Sequence, residues 1–197
     1  MKAHLLAAVA VTAVATLAFA QVGKENAAPG AQAQGAKESA APAAPKPAPQ
    51  MEQLKALEGT WKCEGKQFAT DMGPEHAIKY TWSAKFELDG FWLVGHLDGK
   101  KTKEDPMPTK GSYQFSYDPA TKKFVALWND NMGGWGSQTS TGWEGDTISL
   151  VGDYMVGGQK MVTRDTFTKK SSKELLHKAE LIMNGKSTPF LEDTCKK

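Results

Sequence analysis

The segment Ala77-Ile78-Lys79-Tyr80-Thr81-Trp82-Ser83-Ala84-Lys85-Phe86-Glu87-Leu88-Asp89 decides the fold of this chain. Ile78, Tyr80, Trp82, Ala84, Phe86 and Leu88 alternate with Lys79, Thr81, Ser83, Lys85 and Glu87. A period of two over this length means a strand with one buried and one wet face. Asp89-Gly90 then turns the chain into a second strand, Phe91 to Leu97.

Working outward, the same pattern repeats. An earlier strand is expected over Trp61 to Phe68. Later ones are expected over Ser112 to Tyr117, Phe124 to Asn129, Trp135 to Trp143, Thr147 to Asp153, Lys160 to Thr168, Glu174 to Met183 and near Ser187 to Cys195. Met51 to Glu58, with Leu54 and Leu57 on one face and Gly59 after it, predicts a short helix. A long antiparallel meander hides its edges by closing on itself. The fold class expected is therefore all-β, a closed antiparallel up-and-down barrel of about ten strands with a short N-terminal helix.

The residues ahead of this domain concern delivery. Lys2 and His4, the apolar stretch Leu5 to Leu17 and Ala18-Phe19-Ala20 have the order of a secretory signal over residues 1–20. The apolar stretch is short for a spanning helix. Gln21 follows the cleavage site, where a lipoprotein would need Cys. Half of Gln21 to Gln50 is Ala or Pro, which predicts a disordered, extended linker over 21–50. Residues 51–197 are the barrel domain, expected in the periplasm or outside the cell.

A formal net charge of +2 is too mild to argue for nucleic acid. Cys63 and Cys195 are the two cysteines. An even count in an oxidising compartment suggests a bridge, and a closed barrel pairs its first and last strands. The alternative is two unrelated thiols.

In an up-and-down barrel the loops alternate between two ends. One end receives tight polar turns and the N-terminal helix. The other receives the longer loops, and Met72, Met107, Met132, Met155, Met161 and Met183 all fall there. Three readings stay open for that mouth: a soft plug, a gate for apolar ligands, or a soft-metal site. Arg164 is the sole arginine, fit to hold an acidic head group inside or to pair with Asp165, Glu180 or Glu192. The alternation around it does not decide its face. His177 shares a parity with Leu175, Ala179, Leu181 and Met183 and is expected to point inward, as a core histidine or, less favoured, a haem ligand. No nucleophile elbow, phosphate loop or zinc spacing accompanies these residues, so no enzyme and no cofactor are expected.

Two sets of residues carry a resemblance. Gly59-Thr60-Trp61 after a short helix resembles the Gly-x-Trp start of lipocalins and related calycins. There the Trp packs across the closed end, often under an Arg of the final strand; here that strand offers Lys196 and Lys197. Tyr117-Asp118-Pro119-Ala120-Thr121-Lys122-Lys123-Phe124, followed by Trp128-Asn129-Asp130-Asn131-Met132-Gly133, is similar to a bacterial family of calycin-like domains with no assigned function. Asp89-Gly90-Phe91 fits too. The resemblance spans Leu57 to about Glu192 and implies a calycin-like barrel and no reaction.

The function expected is binding of a small, apolar or amphipathic molecule in the barrel, by Tyr80, Trp82, Phe115, Trp128, Met132, Trp135, Arg164 and His177. The competing expectation is an envelope interaction module with a filled barrel and an exposed apolar patch.

Overall fold

A computed structural model describes residues 44–71 and 73–197. The signal, the linker as far as residue 43, and Met72 lie outside the described residues.

A 3-10 helix, Pro49–Leu57, leads into β1 (Gly59–Gln67). Then come β2 (His76–Glu87), β3 (Trp92–Gly99), β4 (Lys110–Asp118), β5 (Lys123–Asp130), β6 (Trp135–Ser140), β7 (Trp143–Glu144), β8 (Thr147–Val156), β9 (Gln159–Ser171), β10 (Glu174–Met183) and β11 (Lys186–Lys196). Each strand pairs antiparallel with its neighbours, β11 returns to β1, and β6 pairs with β8. The result is a closed ten-stranded up-and-down barrel. The tiny β7 is no extra stave. It continues the line of β6 along β8, with Trp143 opposite Ile148 where Thr139 is opposite Val151.

The strand expected over Trp135 to Trp143 is thus broken at Thr141-Gly142. Gly142 has φ +111°, a conformation that side chains resist. Its amide donates to Ser140 Oγ at 3.1 Å. The break re-aims Trp143, whose indole N–H donates to the Gln53 carbonyl at 3.1 Å.

The N-terminal element is 3-10 rather than α. Met51, Leu54 and Leu57, all buried, stand three residues apart, so a threefold winding puts them on one face. Pro49 sits at its start, where a missing N–H costs nothing. Pro49 and Gln50, read as linker from sequence, belong to this helix.

The helix plugs one end of the barrel. Its last carbonyls lack partners within so short a coil. Leu57 O accepts from Trp61 Nε1 at 3.2 Å and from Trp82 Nε1 at 3.3 Å. Trp61 is buried beneath the plug, and the Lys197 ammonium lies 4.2 Å from its ring centroid. Above it the interior is aromatic: Tyr113 and Phe115 stack at 4.6 Å, and Trp82 meets both edge-on. Gly95 is needed there, because a Cβ would stand 2.0 Å from the Trp82 ring.

Cys63 and Cys195 face each other across the seam between β1 and β11 and are joined, S–S 1.97 Å. The bridge spans 132 residues. In the chain-entropy account closing so long a loop stabilises by up to about 5 kcal/mol.

Candidate functional site

Inward parity on β9, β10 and β11 brings three titratable groups together inside the barrel. Asp165 shares a face with Phe167, His177 with Leu175, and Asp193 with Cys195. His177 Nδ1 lies 3.0 Å from Asp193 Oδ2, and Nε2 lies 3.1 Å from Asp165 Oδ1. The chain of bonds continues in both directions. Tyr80 donates its hydroxyl to Asp193 Oδ1 at 2.8 Å. Gln138 donates from its amide to Asp165 and to Thr163 Oγ1, and its carbonyl accepts from the Tyr113 hydroxyl. Phe167 stacks flat on the imidazole, centroids 4.5 Å apart and planes 9° from parallel.

Burial alone would push the His177 pKa down. That is the largest single influence, but the Asp193 charge, the hydrogen bonds that the ring donates to Asp165 and Asp193, and the Asp165 charge together outweigh it, and the pKa is raised to about 10. At neutral pH the ring is therefore an imidazolium that donates from both nitrogens. Burial, and then the Asp193 charge, push the Tyr80 phenol well above its usual range; Tyr113 rises for the same kind of reason, with Asp165 as its neighbour. Every buried side-chain nitrogen and oxygen among the described residues has a partner. Such a chain can hold a proton firmly and can order the barrel. It has no bare nucleophile aimed at open space.

With both nitrogens engaged, His177 offers none to an iron. Cys63, Cys195 and Asp193 bring potential metal-ligating atoms within 4.8 Å of one another, but the sulfurs are spent on their own bond.

The other expected site residues are dispersed. Tyr80, Trp82 and Phe115 point inward; Tyr80 belongs to the polar chain, and Trp82 and Phe115 pack with Tyr113. Trp128 points inward near the mouth, against Tyr113 at 5.4 Å. Arg164 points outward, opposite Glu180, and pairs with it at 3.1 Å. It does not reach the interior, because Asp165 and Phe167 take the inward parity of β9. Trp135 also points outward, 60% exposed, since Gly136 and Gln138 take the inward parity of β6. Met132 is 59% exposed in the turn between β5 and β6. Met107, Met155, Met161 and Met183 fall at the same end, as expected; Met107 and Met183 are largely exposed, while Met155 and Met161 are half-buried.

Asp165, Asp193 and Gln138 were missed by the sequence reading. A signal existed for Asp193: two residues before Cys195, it had to face the same way as an inward cysteine.

At the mouth, Asp130 is a hub. Its Oδ1 accepts from the amides of Met132 and Gly134, each at 2.9 Å. Its Oδ2 accepts from Trp128 Nε1 at 2.9 Å and the Tyr154 hydroxyl at 2.7 Å. A Cβ on Gly134 would stand 2.2 Å from the Tyr154 hydroxyl. The Trp-x-Asp-x-Met-Gly segment is thus a device for building this turn. Partial burial pushes the Asp130 pKa up, but these four donors outweigh it and hold it below the usual carboxylate range.

Two hollows are open to solvent. One lies at the β1–β11 seam, along Glu64, Gly65, Lys66, Glu192, Asp193 and Thr194; the other lies beside Thr141, Gly142 and Glu144. No described helix is long and apolar enough to cross a membrane.

A closed antiparallel barrel of this kind has relatives. Residues 46–197 match the family described as Protein of unknown function (DUF1579), and the chain belongs to that family. No curated protein matches in sequence. Among solved structures it is similar to the crystal structure of Rv2717c from M. tuberculosis, at TM-score 0.59 and 12% identity, over 77% of this chain and 99% of that one. A redesigned β-barrel matches at TM-score 0.38 and 14% identity, over 74% of this chain and 94% of that one. The likeness to Rv2717c shows the fold alone.

Proposed function

We propose that this chain is a secreted or periplasmic, non-enzymatic interaction module, a filled calycin-like barrel that contacts an envelope component through its outer surface. One observation carries the reading. The interior is occupied by the protein's own aromatic stack and hydrogen-bonded chain, while Trp135 stands 60% exposed on the outer wall beside Met155 and near Leu127. A large indole left in water is a contact waiting for a partner. The calycin kinship is part of the proposal: Trp61 lies across the closed end, and Lys197 covers it where the resemblance leads one to look for an Arg. The secretory signal and the disulfide agree on an oxidising compartment.

A second reading, a small apolar or amphipathic ligand in the barrel, draws on a different observation. His177 and Asp165 lie inside the barrel yet keep 13% and 15% side-chain exposure, so the polar chain is not fully sealed from solvent. Native mass spectrometry of the mature protein from its own secretory compartment separates the two. A bare protein is expected. An organic adduct that leaves on denaturation would replace the surface reading with ligand carriage, and a copper-sized adduct would move the methionine mouth to first place.

A further inference from the structure

The outer wall has two characters. From β10 through β11 and β1 to β2 it is laced with cross-strand ion pairs, including Lys178 with Glu192 at 2.9 Å and Lys79 with Glu64 at 3.2 Å. Across the middle of β3 to β6 the charges stop, between the Asp98–Lys110 pair toward the mouth and Asp118 and Lys123 toward the closed end. No Lys, Arg, Asp or Glu occurs within 92–96, 112–116, 125–129 or 135–139, the central spans of four adjacent strands. Their outward positions carry hydroxyls, amides and apolar groups instead.

One row across this wall is ordered by register. His96 faces Ser112, Ser112 faces Asn129, and Asn129 faces Trp135. Gln114 and Leu127 face each other in the next row. Leu127 is 39% exposed.

The chemistry limits the partner. A polyanion or an anionic membrane finds no cation on these spans. A second copy of the chain is too large a partner for the patch. Four strands about 4.8 Å apart, with outward positions about 6.8 Å apart along each, give a patch of roughly 200–300 Å², against about 800 Å² per partner in a standard interface. A narrow, uncharged, extended polymer fits both constraints. Sugar rings stack their C–H faces on an indole, and their hydroxyls exchange hydrogen bonds with amides and hydroxyls. In an extended β-linked glycan each ring advances the chain by about the spacing of adjacent strands.

We propose that the β3–β6 wall binds a neutral, β-linked glycan laid across the strands, with Trp135 under one ring and Asn129, Ser112 and His96 meeting the rings that follow. This rests on the surface reading above and names the partner. The probes are cellohexaose and the hexamer of β-1,4-linked N-acetylglucosamine, titrated into the mature chain by calorimetry and followed by tryptophan fluorescence. The expected result is binding of at least one of them, weakened about tenfold or more by Trp135→Ala. Gln114→Lys, which sets an ammonium into the middle of the wall between Val94 and Leu127, should weaken it severalfold, and Lys178→Gln on the charged wall should leave it unchanged. Trp135 is exposed, so its loss should leave the melting temperature in place. No affinity for either hexamer at millimolar concentration overturns the assignment, as does affinity that survives Trp135→Ala. If neither hexamer binds while Trp135→Ala still abolishes retention on envelope fractions, the glycan falls and the surface reading stands. An organic adduct in the mass spectrum would take down the surface reading itself.

Discussion

The two ends of the barrel solve one problem in opposite ways. Backbone groups that leave regular structure need partners. At the closed end the backbone supplies the acceptors and side chains come to it: the indoles of Trp61 and Trp82 converge on Leu57 O, and that of Trp143 reaches Gln53 O. At the mouth a single side chain, Asp130, supplies the acceptor and four donors come to it. The first arrangement uses no ionisable donor or acceptor, and the bond from Trp61 to Leu57 is buried. The second hangs on one ionisable carboxylate at the surface. The closed end should therefore be stable and indifferent to acid, and the mouth weaker and acid-sensitive.

The largest expected effect is at the plug. Leu54 is fully buried, so Leu54→Ala should cost about 2–5 kcal/mol in denaturant unfolding. A loss under about 1 kcal/mol would mean that the plug is not part of the cooperative core. Asp130→Ala removes the acceptor of all four bonds and should cost about 1–3 kcal/mol, with faster amide exchange concentrated in residues 131–134.

Titration sharpens the contrast. The lowered pKa of Asp130 adds stability above its unfolded value near 3.9, and that stability drains as pH falls through the lower folded value. Mouth amides should exchange early in an acid titration, ahead of those under the plug. His177 has the opposite sign. Its pKa is raised to about 10, so its contribution is complete below about 6.5 and is lost as pH rises toward 10. Melting temperatures should fall over that alkaline window, and His177→Asn should flatten the fall.

Smaller effects follow. Trp143→Phe keeps an aromatic side chain but removes the indole N–H and its hydrogen bond to the plug, for about 1 kcal/mol. Met107 is 84% exposed, so Met107→Gln should stay within about 0.5 kcal/mol in a thermal melt.

The sequence made the strands legible because Ile78 to Phe86 and its successors alternate cleanly, although Leu88, expected on the buried face, leaves the strand for a 3-10 turn and is 69% exposed; it made the disulfide legible because closing a barrel brings the first and last strands together. The one-sided methionines followed from loop order alone. Legibility failed where alternation carried no hydrophobic contrast. In β9, Met161, Thr163, Asp165 and Phe167 are no more apolar as a set than their neighbours, so Arg164 could not be assigned a face. Trp135 was read as a lining residue because it is aromatic, yet its strand turns Gly136 and Gln138 inward. The Asp165–His177–Asp193 chain draws one residue from each of three strands, and no local pattern announces such a meeting. The 3-10 winding was visible in principle, since Met51, Leu54 and Leu57 repeat at three.

The bond between Cys63 and Cys195 also has a mechanical meaning. It welds the seam where the first stave meets the last, so a tensile load entering through the chain ahead of Pro49 travels along β1 only as far as Cys63. There it can cross directly to Cys195, and the residues between them are bypassed. Under a pull between the two ends of the chain, the hydrogen-bonded ladders from β2 to β10 carry no tension while the weld holds. The barrel would behave as a closed ring loaded at one link and slack around the rest.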